Sequence, residues 1–128
     1  MSTSSERKAV ILVVDDHEDT REMYVQFLEA VGHTPFAATT CADALSRIRQ
    51  GGIDAIVLDR RLPDGDGAEV CRTLKADART RALPVIVISG RAEDSAFGAD
   101  AYLIKPVVPE DLLTVLDRLI ARSGRAGA

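Results

Sequence analysis

Three runs of almost uninterrupted aliphatic residues, at 9–14, 55–58 and 84–88, constrain the fold of this chain more than any other feature. A strand wetted on one face alternates polar and apolar side chains, whereas a strand covered on both faces reads as a continuous apolar run. Two further strand-length runs, 33–38 and 101–104, complete a set of five at regular intervals. The segments between them carry helical spacing. Thr20, Tyr24, Phe27, Leu28 and Val31 make one helical stripe that stops at Gly32. Ala42, Leu45, Ile48 and Arg49 outline a second helix behind Thr39 and Thr40 and ahead of Gly51 and Gly52, and residues 68–75 suggest a third. Leu112, Leu113, Leu116, Leu119 and Ile120 mark the last. A short segment at 93–97 is the weakest helix candidate. Strand and helix thus alternate five times, which predicts an α/β fold: a doubly wound (βα)5 parallel sheet with helices on both faces.

The chain has 128 residues, enough for one domain, and its 46% apolar and 28% charged content matches a globular chain with a core. Sixteen basic against twenty acidic residues give a net charge of -4, with no basic block dense enough to follow a phosphate backbone. Nucleic-acid binding by this chain is not expected. No apolar stretch is long enough to span a bilayer and no signal-peptide pattern opens the chain, so a cytoplasmic protein without membrane contact is expected. Cys41 and Cys71 lack zinc or redox spacing and read as buried free thiols. Residues 1–8 and 122–128 read as flexible tails around a domain at 9–121.

In such sheets the ligand site lies outside the carboxyl ends of the strands. The first run ends in Asp15-Asp16, the third in Asp59, the fourth in Ser89-Gly90 and the fifth in Lys105-Pro106. Acids brought so close raise one another's pKa unless a cation neutralises them, and an all-oxygen acidic cluster suits Mg²⁺. A carboxylate can also attack a phosphoryl group, with the metal, an ammonium and a hydroxyl holding the peripheral oxygens.

The motifs VDD at 14–16, LDRRLPDGDG at 58–67, VISG at 87–90 and YLIKP at 102–106 resemble the receiver domain of two-component response regulators, over residues 9–121. The resemblance implies the flavodoxin-like strand order 2-1-3-4-5. It implies that Asp59 accepts a phosphoryl group from the phosphohistidine of a sensor histidine kinase or phosphotransfer protein, and that the chain catalyses only its own phosphorylation and dephosphorylation. Asp16, Asp59 and the backbone carbonyl of Arg61 would hold Mg²⁺ directly, Asp15 through water, with Mn²⁺ an acceptable substitute. Lys105 would pair with Asp59 or its phosphoryl group. Ser89 would bond a phosphoryl oxygen and move on activation, with Tyr102 following, and Pro106 would be cis. Arg61, Gly90 and Arg91 would flank the phosphoryl group, where two arginines could slow its hydrolysis. The output would be contact with a downstream protein, and a homodimer is compatible with it.

Other readings compete at several of these residues. Asp16 could cap the first helix, and His17 reads as a solvent-facing first-turn residue rather than a ligand. Asp64-Gly65-Asp66-Gly67-Ala68 is similar to the nucleophile motif of haloacid-dehalogenase-type phosphatases, but that motif must sit directly on the end of a buried strand, and Arg60, Arg61 and Pro63 intervene. A pseudo-receiver that only docks would not need the acid pair, Asp59, Ser89 and Lys105 together. About twenty residues follow Pro106, too few for a DNA-binding output domain in this chain. Only fifteen residues separate Ser89 from Lys105, which predicts a stunted fourth helix and shifts the expected docking surface toward the first and last helices and the loops around Asp59.

Overall fold

The continuous apolar runs form the middle of a parallel sheet, and that position accounts for their composition. The computed structural model describes residues 8–91 and 98–123. In chain order the elements are β1 (Val10–Val14), α1 (Glu18–Ala30), β2 (Thr34–Ala38), α2 (Cys41–Arg49), β3 (Ala55–Asp59), β4 (Arg61–Leu62), β5 (Gly65–Asp66), α3 (Gly67–Ala76), β6 (Val85–Ser89), β7 (Ala101–Ile104) and α4 (Pro109–Ser123). The main sheet has the order β2-β1-β3-β6-β7, all neighbours parallel. With the short antiparallel β4–β5 hairpin set aside, this is the expected 2-1-3-4-5 order.

Alternation along each strand splits the core in two. Leu12, Val14, Ile56, Leu58, Val85 and Val87 face α2 and α3, where Ile48, Val70 and Leu74 meet them. Ile11, Val13, Val57, Ile86 and Ile88 face α1 and α4, packing on Leu28, Leu112, Leu116 and Ile120. β3 and β6 are buried at every position. β2 lies at an edge and is mostly exposed, with the Arg47 guanidinium 4.6 Å from the centre of the Phe36 ring.

Helix ends follow local chemistry. Thr40 caps α2 by accepting from the Asp43 N–H at 3.0 Å. α1 ends where Gly32 takes φ +103° and the His33 N–H reaches back to the Leu28 carbonyl at 3.0 Å. α4 continues through Ser123, because Leu119 and Ile120 anchor its last turns in the core, so residues 122 and 123 belong to the helix rather than to a tail. Cys71 is buried as expected, but Cys41 is only half-buried, since it opens α2 and faces the β4–β5 hairpin instead of the sheet. The stunted helix at 93–97 lies outside the described residues, as do residues 1–7 and 124–128.

Lys75 ties α3 to the strands beyond it. Its ammonium donates to the carbonyls of Arg81 (3.1 Å) and Leu83 (2.9 Å) and to Asp100 Oδ2 (2.7 Å), while the same Asp100 oxygen accepts from the Val85 N–H at 2.8 Å. A largely buried cation with three acceptors is worth more than a surface ion pair. Lys75→Met keeps the aliphatic stem and removes the donors, and should cost about 1–3 kcal/mol in urea unfolding. A change within about 0.3 kcal/mol would mean that water replaces all three bonds.

Candidate functional site

The strand order reverses between β1 and β3, and the residues that leave those two strands face each other at the carboxyl rim. Asp15, Asp16 and His17 follow β1, and Asp59 closes β3. Among the described residues these four form the group that could hold a metal ion, with ligand atoms all within 4.8 Å of one another. Asp15 and Asp59 are buried at 5% and 3% exposure, whereas Asp16 and His17 are open to solvent.

Asp59 is an acid in an apolar setting. Burial raises its pKa first of all and the nearby Asp15 charge raises it further, while Lys105 and the Arg61 N–H pull it back. Lys105 Nζ stands 3.2 Å from Asp59 Oδ1, and the Arg61 N–H donates to the same oxygen at 3.4 Å. Asp59 Oδ2 is buried and has no hydrogen-bond partner. One oxygen is thus held and the other left as a bare acceptor, at the place where a cation or an electrophile would be received. The donor set is otherwise oxygen-rich and acidic, which fits a hard divalent ion.

The neighbouring loops bring the other expected residues to the same rim. Ser89 is buried at the end of β6, where its Oγ accepts from the Arg91 N–H at 3.1 Å and its carbonyl accepts from the Lys105 N–H at 2.8 Å. The Lys105–Pro106 peptide bond is cis. The Tyr102 hydroxyl donates to the Arg91 carbonyl. Gly90 is exposed with open space around it, and Arg61 and Arg91 are both exposed. A polar cleft of about 240 Å³ opens beside Ser89 between Arg60, Arg61 and the β4–β5 hairpin.

Several supports have no clear sequence signature. Gly67 lies over the end of β3, so that a Cβ there would collide with the Asp59 carbonyl oxygen and press on Leu58 Cγ and Arg60 Cα at 3.2 and 3.3 Å. The Arg21 guanidinium donates to the Asp15 carbonyl at 3.0 Å, fixing the backbone that carries the acid pair. A cation in the first turn of a helix opposes the helix dipole, and that misfit was the available signal. Tyr24, readable only as part of a core stripe, donates through its hydroxyl to the Val107 carbonyl at 3.0 Å and holds the loop after Lys105. His17, not Asp16, is the N-cap residue of α1, and its N–H donates to Asp15 Oδ1 at 2.9 Å.

The two acids of the rival phosphatase motif have other work. Asp64 accepts from the N–H groups of Cys41 (2.7 Å) and Ala42 (3.0 Å) at the start of α2, which lowers its pKa. Burial, and then the same carboxylate, push the Cys41 thiol up to about 11, which disfavours the thiolate. Asp66 takes a two-pronged bond from Arg60, at 2.6 and 3.0 Å, and caps α3 through the Ala68 N–H; the Arg60 bond is the main reason its pKa is low. Both carboxylates brace the hairpin.

A parallel sheet with a buried acid at its switch point and an acidic pair, a hydroxyl and an ammonium around it defines a doubly wound α/β domain whose polar groups gather at the carboxyl rim. The model of the response regulator receiver domain matches residues 11–117, and the chain belongs to that family. It is 34% identical over 118 residues to the phosphate regulon transcriptional regulatory protein PhoB of Klebsiella pneumoniae, covering 88% of this chain and 52% of that protein. The chain therefore spans about half the length of the curated relatives it matches. A CheY-like receiver domain protein of Methanospirillum hungatei superposes with a TM-score of 0.85 at 30% identity, covering 92% of this chain and 98% of that one. The receiver domain of a sensor histidine kinase of Pseudomonas aeruginosa, solved with a magnesium ion coordinated in its active site cleft, gives 0.82 at 26% identity over 89% of this chain and 98% of that one. Among the described residues no helix is long and apolar enough to cross a membrane.

The raised Asp59 pKa has a signed consequence for stability. The folded carboxyl binds its proton at higher pH than the unfolded one, so stability falls as pH rises through that acidic window, and the ionised acid works against folding at neutral pH. In chelator-treated buffer Asp59→Asn should therefore be more stable than the parent at pH 7 in urea unfolding, and the gain should shrink as acid protonates Asp59 in the parent. A loss of stability at pH 7, or a gain indifferent to pH, would contradict the burial account.

Proposed function

We propose that this domain accepts a phosphoryl group on Asp59 from the phosphohistidine of a sensor histidine kinase or phosphotransfer protein, in the cytoplasm, and that the acyl phosphate switches its contacts with a downstream protein. The observation that carries this reading is the division of labour within one buried carboxylate: Oδ1 is held by Lys105 and the Arg61 N–H, and Oδ2 has no partner. In the transfer, a bond forms from an Asp59 oxygen to phosphorus as the phosphorus–nitrogen bond breaks, and the departing imidazole takes up a proton. Lys105, already beside Asp59, follows the added charge. Ser89 lies on the adjacent strand end; its Oγ accepts from the Arg91 N–H, and its hydroxyl proton can be donated to a phosphoryl oxygen. Tyr102 hangs on the Arg91 carbonyl and is coupled to Ser89 through that residue.

Asp16, Asp59 and the Arg61 carbonyl would hold Mg²⁺, or Mn²⁺ in its place, with Asp15 acting through water. When bound, the ion offsets the charge shared by the acids and the incoming phosphoryl oxygens. The exposed Arg61 and Arg91, with Gly90 between Ser89 and Arg91, would flank the phosphoryl group and limit the approach of water. The domain turns over no free metabolite; it catalyses only the loading and slow hydrolysis of its own carboxylate.

With Mg²⁺ and acetyl phosphate, intact-mass spectrometry should show one hydroxylamine-sensitive phosphoryl group, absent from Asp59→Asn and from the parent in chelator. Equal labelling of Asp59→Asn would remove Asp59 from the reaction. Asp16→Ala should lose Mg²⁺ binding and labelling together, and unchanged binding would remove Asp16 from the metal. In the Arg61→Ala, Arg91→Ala double variant the phosphoryl lifetime should shorten severalfold; an equal or longer lifetime means that the arginines give no cover.

A further inference from the structure

His17 stands where a fourth ligand would stand. Its Nδ1 is 3.3 Å from Asp16 Oδ1 and 3.4 Å from Asp15 Oδ1, and it shares the 4.8 Å cluster with Asp59. With metal–ligand bonds of about 2.1 Å, ligand atoms separated this far subtend roughly 105° at a common ion, within the range of adjacent positions in tetrahedral or distorted octahedral coordination. The imidazole is not committed elsewhere by the helix: His17 is the N-cap of α1 but makes no side-chain cap bond. Its backbone is fixed instead, by the bond from its N–H to Asp15 Oδ1 at 2.9 Å, which keeps the ring beside the acids. The side chain is 70% exposed, so presenting it to an ion requires little further desolvation. A second feature belongs to the same cluster: Asp59, 97% buried, has one carboxylate oxygen within 4.8 Å of the other ligand atoms, and its Oδ2 has no hydrogen-bond partner.

We propose that His17 is a nitrogen ligand of this site and that it shifts the site's preference from Mg²⁺ toward divalent transition-metal ions that favour imidazole. Mg²⁺ takes oxygen donors and keeps its waters, and gains little from a ring nitrogen. Ions of the manganese-to-zinc series accept imidazole, with affinity rising along that series to copper. Asp16 and His17 would reach the ion directly from the end of β1, with Asp15 behind them through water, and Asp59 would reach it from β3. The inference rests on the metal site of the proposed function and adds a selectivity that the acids alone do not provide. The expectation of a solvent-facing His17 holds for its exposure, and the proposal adds the ligand role that reading set aside. The chain has one other histidine, His33, and it is built into the fold: it is buried, its Nδ1 accepts from the Ala9 N–H at 3.1 Å and its Nε2 lies 3.3 Å from Asp117 Oδ1.

The test compares Co²⁺ and Mg²⁺ binding to the full chain at fixed neutral pH in a non-coordinating buffer, reading Co²⁺ by its visible absorption and Mg²⁺ by competition. In His17→Asn, which keeps a residue suited to the N-cap, the ratio of Co²⁺ to Mg²⁺ affinity should fall about tenfold or more, and His17→Ala should give the same ratio. The Co²⁺-loaded parent should show a strongly shifted exchangeable imidazole proton by NMR, absent from both variants. Asp59→Asn should weaken both ions, which locates them at this rim. An unchanged affinity ratio in both His17 variants, or a shifted imidazole proton that survives them, would overturn the inference and leave His17 a surface partner of the acids. Failure of the underlying reading looks different: the parent would neither bind Mg²⁺ nor gain a phosphoryl group from acetyl phosphate.

Discussion

Ending the central strand of a fully covered sheet in a carboxylate is costly, and the arrangement of the rim follows from that cost. Every residue of β3 is buried, Asp59 included, so its charge is removed from water and set beside a second buried acid, Asp15. Desolvation and like charge both oppose ionisation, and among the described residues Lys105 and the Arg61 N–H answer them. An added cation would relieve that cost, and Asp59 Oδ2, which has no hydrogen-bond partner, is the oxygen left to meet it. In the proposed function the same unmet charge makes Asp59 the acceptor. The lysine that offsets it is partly exposed, so it can swing with a new charge, whereas a fully buried partner would be locked in place.

The rim holds its shape because the loops around it are tied to rigid elements. Arg60 and Asp66 clamp the two ends of the β4–β5 hairpin, and Asp64 anchors its tip to the first turn of α2. Gly67 lets α3 start directly against the Asp59 carbonyl. On the opposite side Tyr24 and Arg21 reach from α1 to the loop after Lys105 and to the Asp15 backbone. Binding energy at such a site is not lost to ordering its walls.

The sheet was legible because burial on both faces writes itself into composition: β1, β3 and β6 coincide with the three continuous runs, and the acids that terminate two of them stand out against the apolar stretch they end. The Thr40 cap was legible for the same local reason. Contacts across long separations were not. Tyr24 and Val107 lie 83 residues apart, and nothing in a helical stripe tells a core tyrosine from one whose hydroxyl holds a loop. The role of Gly67 depends on where α3 begins relative to β3, which turn-forming composition does not specify. His17 could be read as exposed, but its distance to two carboxylates depends on the backbone turn that Asp15 imposes. Cys41 departed from expectation because the first residue of a helix faces whatever loop lies before it, here a hairpin that short strand pairing made from a stretch readable only as turn.

The central claim is that the bare oxygen of Asp59 receives a phosphoryl-like group and that Ser89, Tyr102 and Lys105 respond to it. It is tested most directly by adding beryllofluoride with Mg²⁺ and following backbone amides and bound fluorine by NMR. The account predicts bound fluorine signals in slow exchange and amide shifts centred on Asp59, Ser89, Arg91, Tyr102 and Lys105, all lost in Asp59→Asn. Shifts that persist in Asp59→Asn, or that avoid the ends of β3, β6 and β7, would contradict it.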